Sequence, residues 1–127
     1  MPGPCAAEVL LLEDEQAIAD AIVEILSVEG YVVRIAATVE QARAEIARQR
    51  PDVVLLDYML AAGATSEPLL VELLAEPRRP ALLLYSATSA ALPVAKRYGV
   101  RFLAKPFDLD VLVATVRELL DATPPHG

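Results

Sequence analysis

The sequence predicts an α/β domain built on a doubly wound, five-stranded parallel sheet in the order 2-1-3-4-5. Three observations carry that expectation. Between residues 8 and 121, five short apolar runs alternate with amphipathic stretches of helical period. The first, third and fourth runs are apolar throughout, as strands covered on both faces must be, whereas the second and fifth carry Arg34 and Arg101 and belong at the edges. No repeat, low-complexity block or linker divides the region, and 127 residues is a common size for one domain.

The runs are Val9–Leu12, Tyr31–Ile35, Val53–Leu56, Ala81–Tyr85 and Arg101–Leu103. Ile18, Ile22, Ile25 and Leu26 repeat at helical spacing after the first run, and Gly30 supplies a left-handed stop. Thr38 and Gln41 form a capping-box pattern ahead of Val39, Ala42 and Ile46, and Pro51 ends that helix. Pro68 suits the first turn of a third helix carrying Leu69, Leu70, Leu73 and Leu74, with Pro77 as its stop. Pro93 sits inside the fourth helical segment, which is therefore expected to be shortened to residues 93–98 and capped by Gly99, leaving 87–92 as a loop. Asp108 is the expected N-cap of a fifth helix that buries Leu112, Val113 and Val116. The expected organisation is an N-terminal extension (1–7), the folded domain (8–121) and a flexible tail (122–127).

Composition narrows the function. Eleven basic against eighteen acidic residues give a net charge of −7, a field that repels phosphate backbones and anionic membranes, so neither is an expected direct partner. The longest apolar stretches are too short to span a bilayer, and Glu8 interrupts any signal-like run, which predicts a cytoplasmic protein. One cysteine, Cys5, and one histidine, His126, exclude an internal disulfide, a Cys/His metal cage and a His-based triad. Chemistry is left to carboxylates, hydroxyls and amines.

In doubly wound sheets the ligand site lies at the carboxyl ends of the strands. Glu13 and Asp14 follow the first strand, Asp57 the third, Ser86 the fourth, and Lys105 lies just past the fifth. Three carboxylates brought together either share protons or hold a hard cation, and Mg²⁺ fits best. Lys105 and Ser86 are the charge and hydroxyl wanted around a phosphoryl oxygen, which makes Asp57 a candidate nucleophile forming an aspartyl phosphate. Taken singly, Asp14 reads equally well as a helix N-cap, Ser86 as a loop residue and Phe102 as core; their common placement is what favours a site.

The segments VLLLEDE, VVLLDYML, LLLYSA and FLAKPF, in that order, resemble the receiver domain of bacterial response regulators, with its flavodoxin-like (CheY-like) fold. The resemblance covers residues 8 to 121. It implies that Asp14 is the more direct Mg²⁺ ligand of the Glu13–Asp14 pair and that Asp57 is the phosphoacceptor. It further implies that the Met59 carbonyl completes the metal's protein ligands and that Ser86 and Lys105 contact the phosphoryl group. Phe102 matches the aromatic switch position, Met59 and Thr88 flank the path of the hydrolytic water, and Lys105-Pro106 matches the family's cis peptide. The sequence departs from the family twice. Ala61 stands where a proline is common, and Ser86 to Lys105 spans 105 − 86 = 19 positions, about three fewer than is typical, most of a helical turn.

The implied function is a stand-alone, Mg²⁺-dependent phosphoacceptor, a switch and not an enzyme, acting as a monomer or weak homodimer. Its expected partners are a sensor histidine kinase or histidine phosphotransfer protein and an unidentified downstream protein. Three alternatives remain open. The chain could be the receiver part of a longer regulator with a DNA-binding or enzymatic output, a reading to which the Pro124-Pro125 tail lends a linker. A Mg²⁺-dependent aspartate-based phosphatase would want a second acid where Met59 stands. A nucleotide- or flavin-binding module would want a Gly-rich loop after the first strand, which is missing.

Overall fold

The computed structural model describes residues 6–122. Five parallel strands, β1 (Glu8–Leu12), β2 (Val32–Ala36), β3 (Val53–Asp57), β4 (Ala81–Ser86) and β5 (Arg101–Ala104), pair in the order β2-β1-β3-β4-β5. Between and after them run α1 (Gln16–Val28), α2 (Val39–Arg48), α3 (Glu67–Leu74), α4 (Ala91–Tyr98) and α5 (Leu109–Ala122), with a short 3₁₀ turn at Ala61–Gly63. The predicted order and edge strands are the observed ones. Cys5, His126 and nearly all of the expected tail lie outside the described residues; Ala122 itself closes α5.

Strand alternation divides the core into two layers. Val9, Leu11, Val53, Leu55, Leu83 and Tyr85 face α1 and α5, while Leu10, Leu12, Val54, Leu56, Leu82 and Leu84 face the opposite layer, where residues of α2, α3 and α4 pack. Every residue of β3 is buried. At roughly 25 cal/mol per Å² of apolar surface removed from water, a buried leucine contributes about 2 kcal/mol, so this double layer sets the positions of the strand ends.

The helix ends follow the residue chemistry in most cases. Thr38 Oγ1 accepts from the Gln41 N–H at 3.1 Å, and Gln41 Oε1 in turn accepts from the Ala37 N–H at 2.8 Å. Gly30, at φ 92°, closes α1 with Tyr31 N–H donating to Leu26 C=O and Gly30 N–H to Ser27 C=O, which satisfies two terminal carbonyls. α2 stops at Arg48, earlier than Pro51 requires, because Gln49 is already extended.

Two expectations need correction. α4 begins at Ala91, not at Pro93, so Pro93 is its third residue, where the missing N–H has no intrahelical partner to lose. The loop after Ser86 is accordingly short, and Thr88 C=O already accepts from Ala91 N–H. Asp57 and Ser86 also do not follow their strands. They are the last strand residues, held in the ladder opposite Tyr85 and Ala104.

Candidate functional site

The alternation that builds the core also builds the site. Asp57 stands two residues beyond Leu55 and Glu13 two beyond Leu11, so both carry the α1/α5 face past the last apolar layer. Lys105 stands two beyond Leu103 and joins the same face. Tyr85 does too, directly opposite Asp57 in the ladder. Ser86, one residue on, turns to the other face, where Phe102 is half-buried one row below it against the α4 side of the core.

Glu13, Asp14 and Asp57 each offer a carboxylate oxygen, and these lie within 4.8 Å of one another. Glu13 and Asp57 are buried, at 2% and 4% exposure, whereas Asp14 is open to solvent. Lys105 Nζ lies 3.3 Å from Asp57 Oδ2 and 3.5 Å from Glu13 Oε1. The Tyr85 hydroxyl donates to Glu13 Oε1 at 2.7 Å, and the Glu15 N–H donates to Glu13 Oε2 at 3.1 Å. Asp14 does not hold the N-cap position of α1; Glu15 does, without a side-chain cap bond. The helix-cap reading of Asp14 therefore falls away.

Burial, and next the neighbouring Glu13, push the Asp57 carboxyl up from 3.8 to about 7, with Lys105 opposing both. Burial and Glu13 likewise push the Tyr85 phenol far above its ordinary range, so it stays a hydrogen-bond donor. When all three carboxyls are ionised, three negative charges face one ammonium, which leaves two uncompensated in a partly desolvated site. A hard divalent cation is the group whose charge and oxygen preference answer that imbalance.

A cleft of about 370 Å³ opens over these groups and is also lined by Met59, Ser86 and Thr88. Thr88 N–H donates to Ser86 Oγ at 3.1 Å, and Lys105 N–H donates to Ser86 C=O at 2.9 Å. Met59 is half-exposed at the lip and pairs with Thr65 in an isolated bridge. The Lys105-Pro106 peptide is cis, as the resemblance implies. Every sequence-predicted site residue except Phe102 thus borders one cleft. Tyr85 is the neighbour that sequence reasoning left unremarked, although the two-residue alternation and its place opposite Asp57 point to it.

In a doubly wound domain the ligand crevice lies at the carboxyl ends of the strands, where this carboxylate cluster and lysine stand. A sequence profile of the response regulator receiver domain matches residues 9–117, and the chain belongs to that family, the receiver domain of two-component signalling. The nitrogen assimilation regulatory protein NtrX of Azorhizobium caulinodans is 30% identical over 95% of this chain and 30% of its own length. The response regulator MprA of Mycobacterium leprae is 31% identical over 92% of this chain and 52% of its own. Among solved structures, a CheY-like receiver domain protein from Methanospirillum hungatei superposes with a TM-score of 0.84 at 25% identity, covering 93% of this chain and 96% of that one. The chain spans about half or less of the length of these two curated relatives.

Proposed function

We propose that this chain is a phosphoacceptor switch in which Asp57 takes a phosphoryl group from a phosphohistidine on a sensor histidine kinase or histidine phosphotransfer protein. The observation that carries the reading is the buried Asp57 carboxylate at the floor of an open cleft, 3.3 Å from Lys105 Nζ and grouped with Glu13 and Asp14. An Asp57 oxygen attacks phosphorus, the P–N bond breaks, and the imidazole leaves with the electron pair. Lys105 and the Ser86 hydroxyl meet the phosphoryl oxygens. Asp14, Asp57 and the Met59 carbonyl would hold a Mg²⁺ ion, with Glu13 behind them; when bound it supplies positive charge to the phosphoryl oxygens. Phe102, on the Ser86 face, repacks as Ser86 is drawn to the phosphate and biases the surface near α4.

An apolar groove of about 560 Å³ adjoins the cleft, lined by Ile18, Ile22, Phe107 and Leu109, and Lys105 borders both. Its continuity with the cleft suits a helical phosphodonor that buries the groove while presenting its histidine to Asp57. Residues 8–121 form the receiver unit in this reading, which acts in the cytoplasm; no helix among the described residues is long and apolar enough to cross a membrane. The unit is a monomer or weak homodimer and works as a switch, not as an enzyme. Apolar Met59 gives an aspartate-based phosphatase no second acid. The greater length of the curated relatives favours one further reading, that an output module belongs to the same protein.

The test is incubation of the purified protein with a small-molecule acyl phosphate and Mg²⁺, beside Asp57→Asn. The expected result is a Mg²⁺-dependent mass gain of one phosphoryl group in the wild type alone. Equal labelling of the variant would overturn the assignment of Asp57.

A further inference from the structure

We infer that Tyr85 is a positioning residue for the cation site, holding Glu13 through its buried hydroxyl within the carboxylate cluster, behind the proposed ligands, and out of a closed ion pair with Lys105. The inference rests on the receiver reading and deepens it.

The geometry is specific. Tyr85, Asp57 and Glu13 occupy neighbouring strand ends on one sheet face, with Asp57 in the middle. Strands lie about 4.8 Å apart, so Tyr85 and Glu13 are separated by roughly two spacings, a distance that a phenol can span and a shorter side chain cannot. Tyr85 is fully buried, and two neighbours pack its ring. Phe107 meets it edge-on with centroids 5.7 Å apart, and Lys105 Nζ sits 5.0 Å from the ring centroid. A ring held in this way delivers its hydroxyl to one place.

Besides Asp57, Glu13 has three cationic or donor neighbours: the Tyr85 hydroxyl at 2.7 Å, the Glu15 N–H at 3.1 Å and Lys105 at 3.5 Å. The two hydrogen bonds engage both carboxylate oxygens and leave the lysine at a looser distance. Without the hydroxyl, the strongest remaining partner for Glu13 Oε1 is the Lys105 ammonium. Closing that pair would draw Lys105 from Asp57 and turn Glu13 out of the carboxylate cluster. Partners behind metal-site groups are worth about 10- to 100-fold in metal affinity where they orient a direct ligand. Glu13 lies behind the proposed ligands, so a smaller effect follows.

The test is a Mg²⁺ titration followed by amide chemical shifts, with no phosphodonor present, on the wild type, Tyr85→Phe, Glu13→Gln and the double variant. Phenylalanine keeps the ring, its packing on Phe107 and the core, and removes one oxygen. The expected result is a Mg²⁺ dissociation constant raised roughly 3- to 10-fold by Tyr85→Phe. In the Glu13→Gln background the same change should have less than about a twofold effect, since the charge it positions is gone. An unchanged constant in Tyr85→Phe would overturn the inference. So would an equal rise in both backgrounds, because Tyr85 would then act on the site without Glu13. A wild type lacking any saturable Mg²⁺ response would instead overturn the metal-site reading beneath it.

Discussion

In the proposed phosphoacceptor reading, Met59 is the residue that would control what reaches a phosphoryl group on Asp57. Its side chain is half-exposed at the lip of the cleft, apolar, and unable to hold a water in line with the Asp57–phosphate bond. Thr88 lines the same cleft, but its Oγ1 already accepts from the Ala90 N–H at 3.2 Å. Slow self-dephosphorylation is expected, and Met59→Asn or Met59→Glu should shorten the phosphoryl lifetime roughly 3- to 30-fold, within the range of general acid–base assistance. The decay of phosphorylated protein after removal of the phosphodonor measures it; unchanged lifetimes in both variants would remove Met59 from this role. At the level of residues, the sequence exposed the groups that follow directly from an apolar run, Glu13, Asp57 and Ser86, and Lys105 just past one. Tyr85 stayed hidden inside such a run, because a buried aromatic in a strand reads as core until the register places a carboxylate beside it.

The connections carry the departures from family pattern. Between β3 and α3 the chain closes on itself, with Leu60 N–H donating to Ala64 C=O at 2.8 Å and Ser66 N–H to Tyr58 C=O at 3.0 Å. Closing that loop puts Ala62 at φ 61°, a conformation that costs an L-residue with a Cβ roughly 1 kcal/mol. Ala62→Gly should therefore stabilise the protein by roughly 0.5 kcal/mol, the part of that cost left after glycine's extra unfolded-state entropy. Urea unfolding decides it, and a loss of stability would show that the loop pays no such cost. Helix starts were less legible than helix existence for a related reason. Proline forbids only the interior of a helix, so Pro93 permitted a start at residue 91, 92 or 93. The turn bond from Ala91 N–H to Thr88 C=O then selected the earliest. The paired edges were legible because Arg34 and Arg101 cannot lie in a sheet centre, and each finds a glutamate at the surface, Glu45 and Glu118.

Over the whole molecule, the site sets a conflict between stability and charge that a bound cation would resolve. In metal-free protein the Asp57 carboxyl titrates near 7, well above its unfolded value near 3.8, because burial and Glu13 disfavour its anion. The native state therefore binds this proton more tightly than the unfolded chain does. The stability it contributes is complete below about pH 4 and is lost as pH rises through 7. With chelator present, stability should fall between pH 5 and 8 by on the order of 2 kcal/mol, a discount on the full linkage because Glu13 and Lys105 share the charge. Asp57→Asn removes the titrating group and keeps an amide of the same shape, so its profile should be flatter and its stability at pH 8 higher than the wild type's. Saturating Mg²⁺ should restore the wild type at pH 8 by binding the ionised cluster, yet do little at pH 5, where the proton competes for Asp57. Chemical unfolding across pH, with Mg²⁺ or chelator, separates these terms. Parallel wild-type and Asp57→Asn profiles would show that Asp57 carries no such strain. A Mg²⁺ stabilisation independent of pH would place the ion away from the buried carboxylates.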